Sequence, residues 1–222
     1  MNNSVSNTAR LLGAGLRALL VLTVVTGVLY PLAVTGVAQG VFPDRANGSE
    51  ITSDGRVVGS SLIGQAYNLP LKKGQETPEP DLKWFQGRPQ NGLGTNSVNT
   101  QYKLILSGAT NRSGDNKDLI DWVRAAKAAV IKDNSVDGYT VRPSDVPPDA
   151  VTSSGSGLDP DISPAYADLQ VHRIAEKNDL PVAQVRKLVD EHSDGRTLGF
   201  IGEPTVNVLE LNIALKDAVA RS

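Results

Sequence analysis

Cysteine is absent from the sequence, histidine occurs twice, and there are only three Phe and two Trp among 222 residues. Each scarcity excludes a class of chemistry. Without Cys there is no disulfide framework, no thiolate zinc site and no cysteine nucleophile. An exported domain of this length builds its core without such staples. His172 and His192 fall on different predicted helices, and no neighbouring residues complete the three or four ligands a metal site needs; both read as surface or half-buried residues. Neither GxxxxGK[ST] nor GxGxxG occurs anywhere, which removes the common nucleotide-binding loops. Ser153-Ser154-Gly155-Ser156-Gly157 lacks the GxSxG spacing of a serine nucleophile and reads as a turn. No catalytic residue and no metal ligand is therefore expected. The mild acidity leaves no footprint for nucleic acid. The two-helix text from Ser163 to His192 is not a DNA reader, because Asp168, Glu176, Asp179, Asp190 and Glu191 offset its basic residues.

Charge is missing in one more place. Between Arg17 and Asp44 no charged residue occurs, and no acidic residue precedes Asp44. The run from Ala18 is rich in Leu and Val and spans roughly 39 Å as a helix, beyond the ~30 Å hydrocarbon core of a bilayer. Pro31 lies inside it, which membrane helices tolerate, often as a kink. Tyr30, Gln39 and Phe42 would mark the far headgroup region. Small residues at Gly36-Val37-Ala38 also fit a cleavage site before Gln39, but the run is about twice the ~7–15 residues of a signal-peptide core, so a retained anchor is expected. Arg10 and Arg17 precede the run and leave 20 basic against 24 acidic residues beyond it. The expected arrangement is a cytoplasmic N-terminus over 1–17, a transmembrane helix over 18–41 and an extracytoplasmic α+β domain over 44–222, single-pass in the cell membrane. Gly27, Ala33 and Gly36 offer the small-residue surface on which membrane helices pack.

Beyond the anchor, Val57-Val58 and Leu62-Ile63 sit between glycines and predict a short hairpin or bulged strand. Lys72 to Pro80 reads as a solvated loop. From Asn91 to Asn116 the text is polar, broken only by Leu104-Ile105-Leu106. Asp115 opens a helix whose stripe is Leu119, Ile120, Val123, Ala126 and Val130. Ser163-Pro164 starts another with an N-cap and a Pro at the first position, running to about Asn178. Pro181 begins a third, with Val182, Val185, Leu188 and Val189 on one face. Asn207 to Glu210 has capping-box logic and opens a last helix with Leu211, Ala214, Leu215 and Ala218 inward. Asp159 and Asp161 around Pro160 read as turn and cap residues. The fold class that follows is one N-terminal transmembrane helix and a small exported α+β domain, helix-rich in its second half. The polar, Gly-rich segments Phe85 to Asn116 and Val146 to Pro164 are its candidate partner-contacting parts.

Several motifs in order carry a family resemblance. They are Tyr30-Pro31-Leu32, Ser61-Leu62-Ile63-Gly64-Gln65, Phe85-Gln86-Gly87-Arg88-Pro89, Val146-Pro147 and Asp149-Ala150-Val151-Thr152. There follow Ser156-Gly157-Leu158-Asp159-Pro160, Ile162-Ser163-Pro164, Gln170 with Arg173-Ile174-Ala175, and Gly195-Arg196 with Leu198-Gly199. Gly202-Glu203-Pro204, Val206-Asn207-Val208 and Leu211-Asn212 complete the series. Over nearly its whole length the chain resembles the KdpC family, the small C subunits of Kdp ATP-driven potassium pumps. One region departs: where the family usually reads SGGSNLGPSNP, Ser107-Gly108-Ala109-Thr110-Asn111 keeps the beginning and Arg112 to Asn116 replaces the rest.

The resemblance implies an accessory subunit. Its partners would be a channel-like potassium-binding subunit and a P-type ATPase subunit, besides the lipid bilayer; the DKTG phosphorylation motif of such ATPases is absent here. Family members are described as stabilising subunits and as catalytic chaperones that raise the ATP affinity of the ATPase subunit. No firmly bound cofactor is implied; ATP would enter through the ATPase subunit. Gln170 resembles the glutamine suggested for that nucleotide role, while Phe85, Gly87, Arg88, Pro89, Ser156, Gly157, Leu158 and Asp159 are the partner-contact candidates. The topology places Gln170 outside and ATP inside, which favours an indirect effect. The other reading is a free-standing anchored exoplasmic binding protein.

Overall fold

The computed structural model describes residues 2–75, 78–89, 107–108 and 111–222. The chain divides into two units, Met1–Glu50 and Ile51–Ser222.

The first unit is helical. Helix α1 (Asn2–Val24) continues through a π-helical turn, Val25–Leu29, into α2 (Tyr30–Val41). The π turn answers the problem Pro31 sets. Pro31 has no N–H and its ring would press on the carbonyl four residues back, so the ladder widens by one residue ahead of it. The Tyr30 N–H accordingly bonds the Val25 carbonyl, five residues back. Phe42 leaves helical geometry and ends α2. A short turn of helix, α3 (Pro43–Ala46), follows. Asn47 then closes the unit with a reciprocal amide pair to Gln39 at 3.1 and 3.2 Å. Val5–Val41, 37 residues, is long and apolar enough to cross a membrane. That is a longer apolar helix than 18–41.

Strand β1 (Glu50–Ser53), which starts at the last residue of the first unit, and β2 (Arg56–Ser60) form a hairpin. Its turn is Asp54-Gly55, with φ of 52° and 73°, the left-handed pair that suits the twist of a two-residue hairpin. The hairpin thus begins earlier than Val57-Val58 suggests, and Leu62-Ile63 lies in a turn instead of a strand. Helix α4 (Lys117–Asn134) is capped by Asn116, whose side chain accepts from the Leu119 N–H at 3.1 Å. Strand β3 (Asp161–Ile162) leads into α5 (Pro164–Lys177), capped by Ser163. Helix α6 (Val182–Glu191), strands β4 (Ser193–Asp194) and β5 (Thr205–Asn207), and helix α7 (Val208–Arg221) complete the order. Asn207 caps α7 by accepting from Glu210 N–H. The three short strands form an antiparallel sheet in the order β3-β5-β4, with Ile162 and Ser193 both opposite Val206. No sequence pattern pointed to this sheet, because two or three residues carry no alternation.

Helix α5 is the axis of the core. Tyr166, Ala167, Leu169, Val171, Ile174 and Ala175 are all buried, and α4 and α6 pack against it. Val185 and Val189 of α6, Leu211 and Leu215 of α7, and Phe85 join the same cluster. A helix buried on nearly every side must place some polar residues inside, and Gln170 and Arg173 are both fully buried.

Candidate functional site

The segment Asp81 to Pro89 runs through the domain as an irregular strap. Its backbone groups find no ladder, so side chains satisfy them. Two carboxamides hold adjacent peptide units from different helices. Asn212 of α7 accepts from Phe85 N–H at 2.9 Å and donates to Phe85 C=O at 3.0 Å. Gln170 of α5 accepts from Gln86 N–H at 2.7 Å and donates to Gln86 C=O at 3.0 Å. Each carboxamide pairs both with the N–H and with the C=O of one strap residue, as a neighbouring strand would.

Arg173, one turn along α5, extends the hold. Its guanidinium donates to the carbonyls of Leu82 and Trp84 and, from the other edge, to Asn134 Oδ1 at 2.8 Å and Gln170 Oε1 at 2.6 Å. Asn178 adds a bond to the Lys83 carbonyl at 2.9 Å. All of Arg173's hydrogen-bond acceptors are neutral oxygens, so burial pulls its pKa down to about 10, still well above neutrality. The cation is therefore kept inside by four dipoles, with the Asp133 and Asp81 charges as secondary support.

The end of the strap meets a second loop. Arg88 pairs with Asp159 at 2.9 Å, both side chains half-buried, and reaches the carbonyls of Thr152 and Ser153. Asp159 also accepts from Asp161 N–H at 3.1 Å, the turn role its spacing around Pro160 predicts. Gly64 N–H bonds the Leu158 carbonyl at 2.8 Å. A Cβ at Gly64 would stand 2.5 Å from the Asp159 carbonyl oxygen, so only glycine fits this approach. Gly64→Ala is expected to cost about 1–3 kcal/mol by forcing the two backbones apart. Thermal melting of the full chain in detergent measures it; an unchanged Tm would contradict the close approach.

Other motif residues join the same frame. Asp149 receives both the N–H and the hydroxyl of Ser163, at 2.7 and 3.0 Å. Asn207 donates to the Ser61 carbonyl and to Asp161. The Ser156 carbonyl accepts from Gly108 N–H and the Ser107 hydroxyl, the part of the divergent loop that keeps the family pattern. Ala109 and Thr110 of that loop, and the polar stretch from Asn91 through Leu104-Ile105-Leu106, lie outside the described residues, as do Glu76 and Thr77 of the Lys72–Pro80 loop. The replaced part, Arg112 to Asn116, is described, and there Arg112 pairs with Asp118 at 2.8 Å.

The structure sorts the partner-contact candidates. Phe85 is fully buried in the core, which corrects its assignment to a contact surface: its ring anchors the strap. Gly157 is buried as well. Gly87, Arg88, Pro89, Leu158 and Asp159 are partly exposed and Ser156 is exposed. Among the described residues, a cleft of about 530 Å³ opens beside them, lined by Gln65, Gly87, Arg88, Ala126, Ala150 and Tyr166. Burial pushes the Tyr166 hydroxyl up to about 12, so it stays neutral there. Among the described residues no three His, Asp or Glu side chains are grouped to hold a metal ion. His172 stacks flat on Tyr139 at 3.9 Å, and His192 Nδ1 lies 2.8 Å from the Leu188 carbonyl.

Asp161 is the perturbed carboxyl of this region. Burial raises its pKa, and the neighbouring charges of Asp159, Asp194 and Glu210 raise it further. With the folded-state value above the unfolded one, ionised Asp161 costs stability at neutral pH, and the cost disappears as pH falls through the folded-state value. Asp161→Asn keeps an acceptor for Asn207 and removes the charge. It is expected to raise Tm by about 1–2 °C at pH 7, allowing for half exposure, with the gain fading towards pH ~4. An equal gain at both pH values would rule out titration of this group as the cause.

What sequence reasoning missed is Asn134, Arg173 and Asn212 as structural polar residues. The signal was present: Gln170 and Arg173 fall on the stripe of Tyr166, Leu169 and Ile174, and Asn212 on that of Val208, Leu211 and Leu215. A polar residue at an apolar-stripe position is a candidate internal bridge.

A family model described as KdpC, K+-transporting ATPase, c chain, matches residues 12–217. A protein of Streptomyces avermitilis named potassium-transporting ATPase KdpC subunit is 85% identical over 222 residues, covering 100% of both chains. One of the same name from Streptomyces coelicolor is 76% identical over 220 residues, 99% of this chain and 98% of the relative. A Mycobacterium tuberculosis protein of that name is 42% identical over 200 residues, 90% and 94% of the two chains.

Proposed function

The chain belongs to the KdpC family, the c chains of K+-transporting ATPases, and from that premise we propose that it is the non-catalytic subunit that holds the pump together from outside. The N-terminal helix spans the cell membrane with the N-terminus in the cytoplasm, and the domain beyond it docks on the outer face of the channel-like potassium-binding subunit. ATP is bound by the P-type ATPase subunit, and any effect of this chain on ATP affinity passes through the partner's helices.

One observation carries the reading. The Gln170 amide is fully buried and engaged with the Gln86 backbone and Arg173, which leaves it no face for a nucleotide. A residue so placed acts on ATP only through the rigidity of the domain. The chaperone role thereby becomes mechanical: a stiff domain, anchored through one helix, restrains the partner in an ATP-competent arrangement.

Affinity purification of the tagged full chain from a membrane extract tests this. The channel-like and ATPase subunits should co-elute and show potassium-dependent ATP hydrolysis, and deletion of the chain should abolish that activity. Recovery of the chain alone, with full pump activity in its absence, would favour a free-standing binding protein. The absence of Cys makes orientation directly readable. Ser222→Cys should react with a membrane-impermeant maleimide from outside intact cells; protection until lysis would reverse the topology.

The same purification reads the anchor. Within their own unit a Cβ at Gly36 would meet nothing within 4 Å and one at Gly27 only the Thr23 methyl at 4.0 Å, room that a helix-packing face requires. Gly27→Leu or Gly36→Leu is expected to lower the co-purified partner subunits several-fold, while Leu22→Ala leaves them near the wild-type amount. Equal behaviour of all three variants would remove the packing face.

A further inference from the structure

Between β4 and β5 the chain projects a tight finger, residues 195–204, all exposed or nearly so. Its tip carries three large apolar side chains: Leu198 is 79% exposed, Phe200 71% and Ile201 51%. None belongs to the core cluster. Scattered apolar residues on a surface need no explanation, but three within four positions of one projection form a patch.

The finger is built to hold them there. Thr197 and Ile201 exchange both backbone hydrogen bonds, at 2.9 and 3.0 Å, and Gly199 N–H bonds the Arg196 carbonyl. Arg196 pairs with Glu203 across the base at 2.7 Å. Leu198 has φ of 55° and Gly199 of 82°. The left-handed region is natural for Gly199 and unfavourable for a bulky residue such as Leu198. A strained backbone that keeps a leucine in water, when no interior contact rewards it, points to a use outside the chain.

We propose that this finger inserts into an apolar socket on the outer face of the channel-like potassium-binding subunit, with Leu198 and Phe200 as its anchors. The inference rests on the subunit reading above and names the surface that reading needs. The charge around the tip selects the kind of partner. Arg196 is neutralised by Glu203, and exposed Asp194 adds a negative charge at the base. A bilayer surface with anionic lipids attracts fingers rimmed by Lys and Arg and flanked by Trp or Tyr. This one has a single Arg, already paired with Glu203, and no Lys, Trp or Tyr. A dry protein pocket with a neutral or basic rim complements it, and its pre-formed turn lowers the ordering cost of docking.

Two arms test the proposal on the full chain in the assembled pump. Leu198→Ser/Phe200→Ser is expected to reduce the co-purified subunits about tenfold relative to wild type, as loss of two buried anchors should, with the chain's own melting unchanged. Undiminished co-purification would overturn it. In the second arm Phe200 is replaced by the photoreactive p-benzoylphenylalanine and native membranes are irradiated. A covalent adduct with the channel-like subunit supports the socket. Adducts with the ATPase subunit, with lipid alone, with a second copy of this chain, or with nothing overturn it. If wild type itself brings down no partner, the subunit reading fails, and the irradiated membranes still report what the finger touches.

Discussion

Arg173→Met is expected to lower the Tm of the full chain by about 6–12 °C, the largest effect of any single change in the domain. Methionine fills much of the volume of the arginine stem but donates no hydrogen bond. The Leu82 carbonyl and the Asn134 side-chain oxygen would remain in the interior without a donor, and the Trp84 carbonyl would keep only the Gln86 side-chain amide at 3.3 Å. A buried acceptor left unpaired costs about 1–3 kcal/mol, offset in part by relief of the desolvated charge. A net loss of about 3 kcal/mol follows. Arg173→Lys keeps the charge, yet one ammonium cannot span the two edges that the planar fork serves, so it should recover less than half of the stability. Melting followed by circular dichroism measures both variants, and protease sensitivity of residues 81–89 should rise with them. A Tm within about 1 °C of wild type for Arg173→Met would show that the strap is held by packing alone.

Gln170→Ala and Asn212→Ala are expected to act as one lesion. Each leaves both backbone groups of a strap residue unpaired, at Gln86 and at Phe85, for about 2–3 kcal/mol. Because either change frees the same segment, the double variant should cost less than the sum. Their effects on the pump separate two explanations of the nucleotide role. Coupling through domain rigidity predicts that both variants raise the pump's apparent KM for ATP together, each in step with its loss of stability. Contact between Gln170 and ATP predicts that Gln170→Ala alone changes KM while Asn212→Ala leaves it untouched. The second pattern would sink the indirect reading and with it the extracytoplasmic placement of the domain.

The helices beyond the anchor were legible because each carries its own start signal. Ser163-Pro164 and Asn207 open α5 and α7 where side-chain capping places them, and Pro181 precedes α6 with its fixed φ and no side-chain cap; all three act through local backbone geometry. Asp54-Gly55 was as plain a hairpin signal, yet Val57-Val58 and Leu62-Ile63 drew the expectation one turn further along. The sheet of β3, β5 and β4 could not be read, since Asp161-Ile162 and Ser193-Asp194 are strands only by virtue of Val206 between them. The site was legible as a set of motifs and illegible as an object. Arg88 gave no sign that Asp159 was its partner, 71 positions away, nor Asn212 that it would hold Phe85, 127 positions away.

That division follows from the range of the forces involved. An absence of charge from Ala18 to Pro43, the cap residues and the apolar stripes act over a few residues, so the scarcities of this sequence determined by themselves an apolar helix and a cysteine-free, helix-rich domain. Which polar residues go inside depends on unpaired backbone groups that exist only once distant segments meet. Tertiary structure alone decided that Gln170, Arg173 and Asn212 hold the strap, and that Leu198 and Phe200 stand in water at the tip of a strained turn.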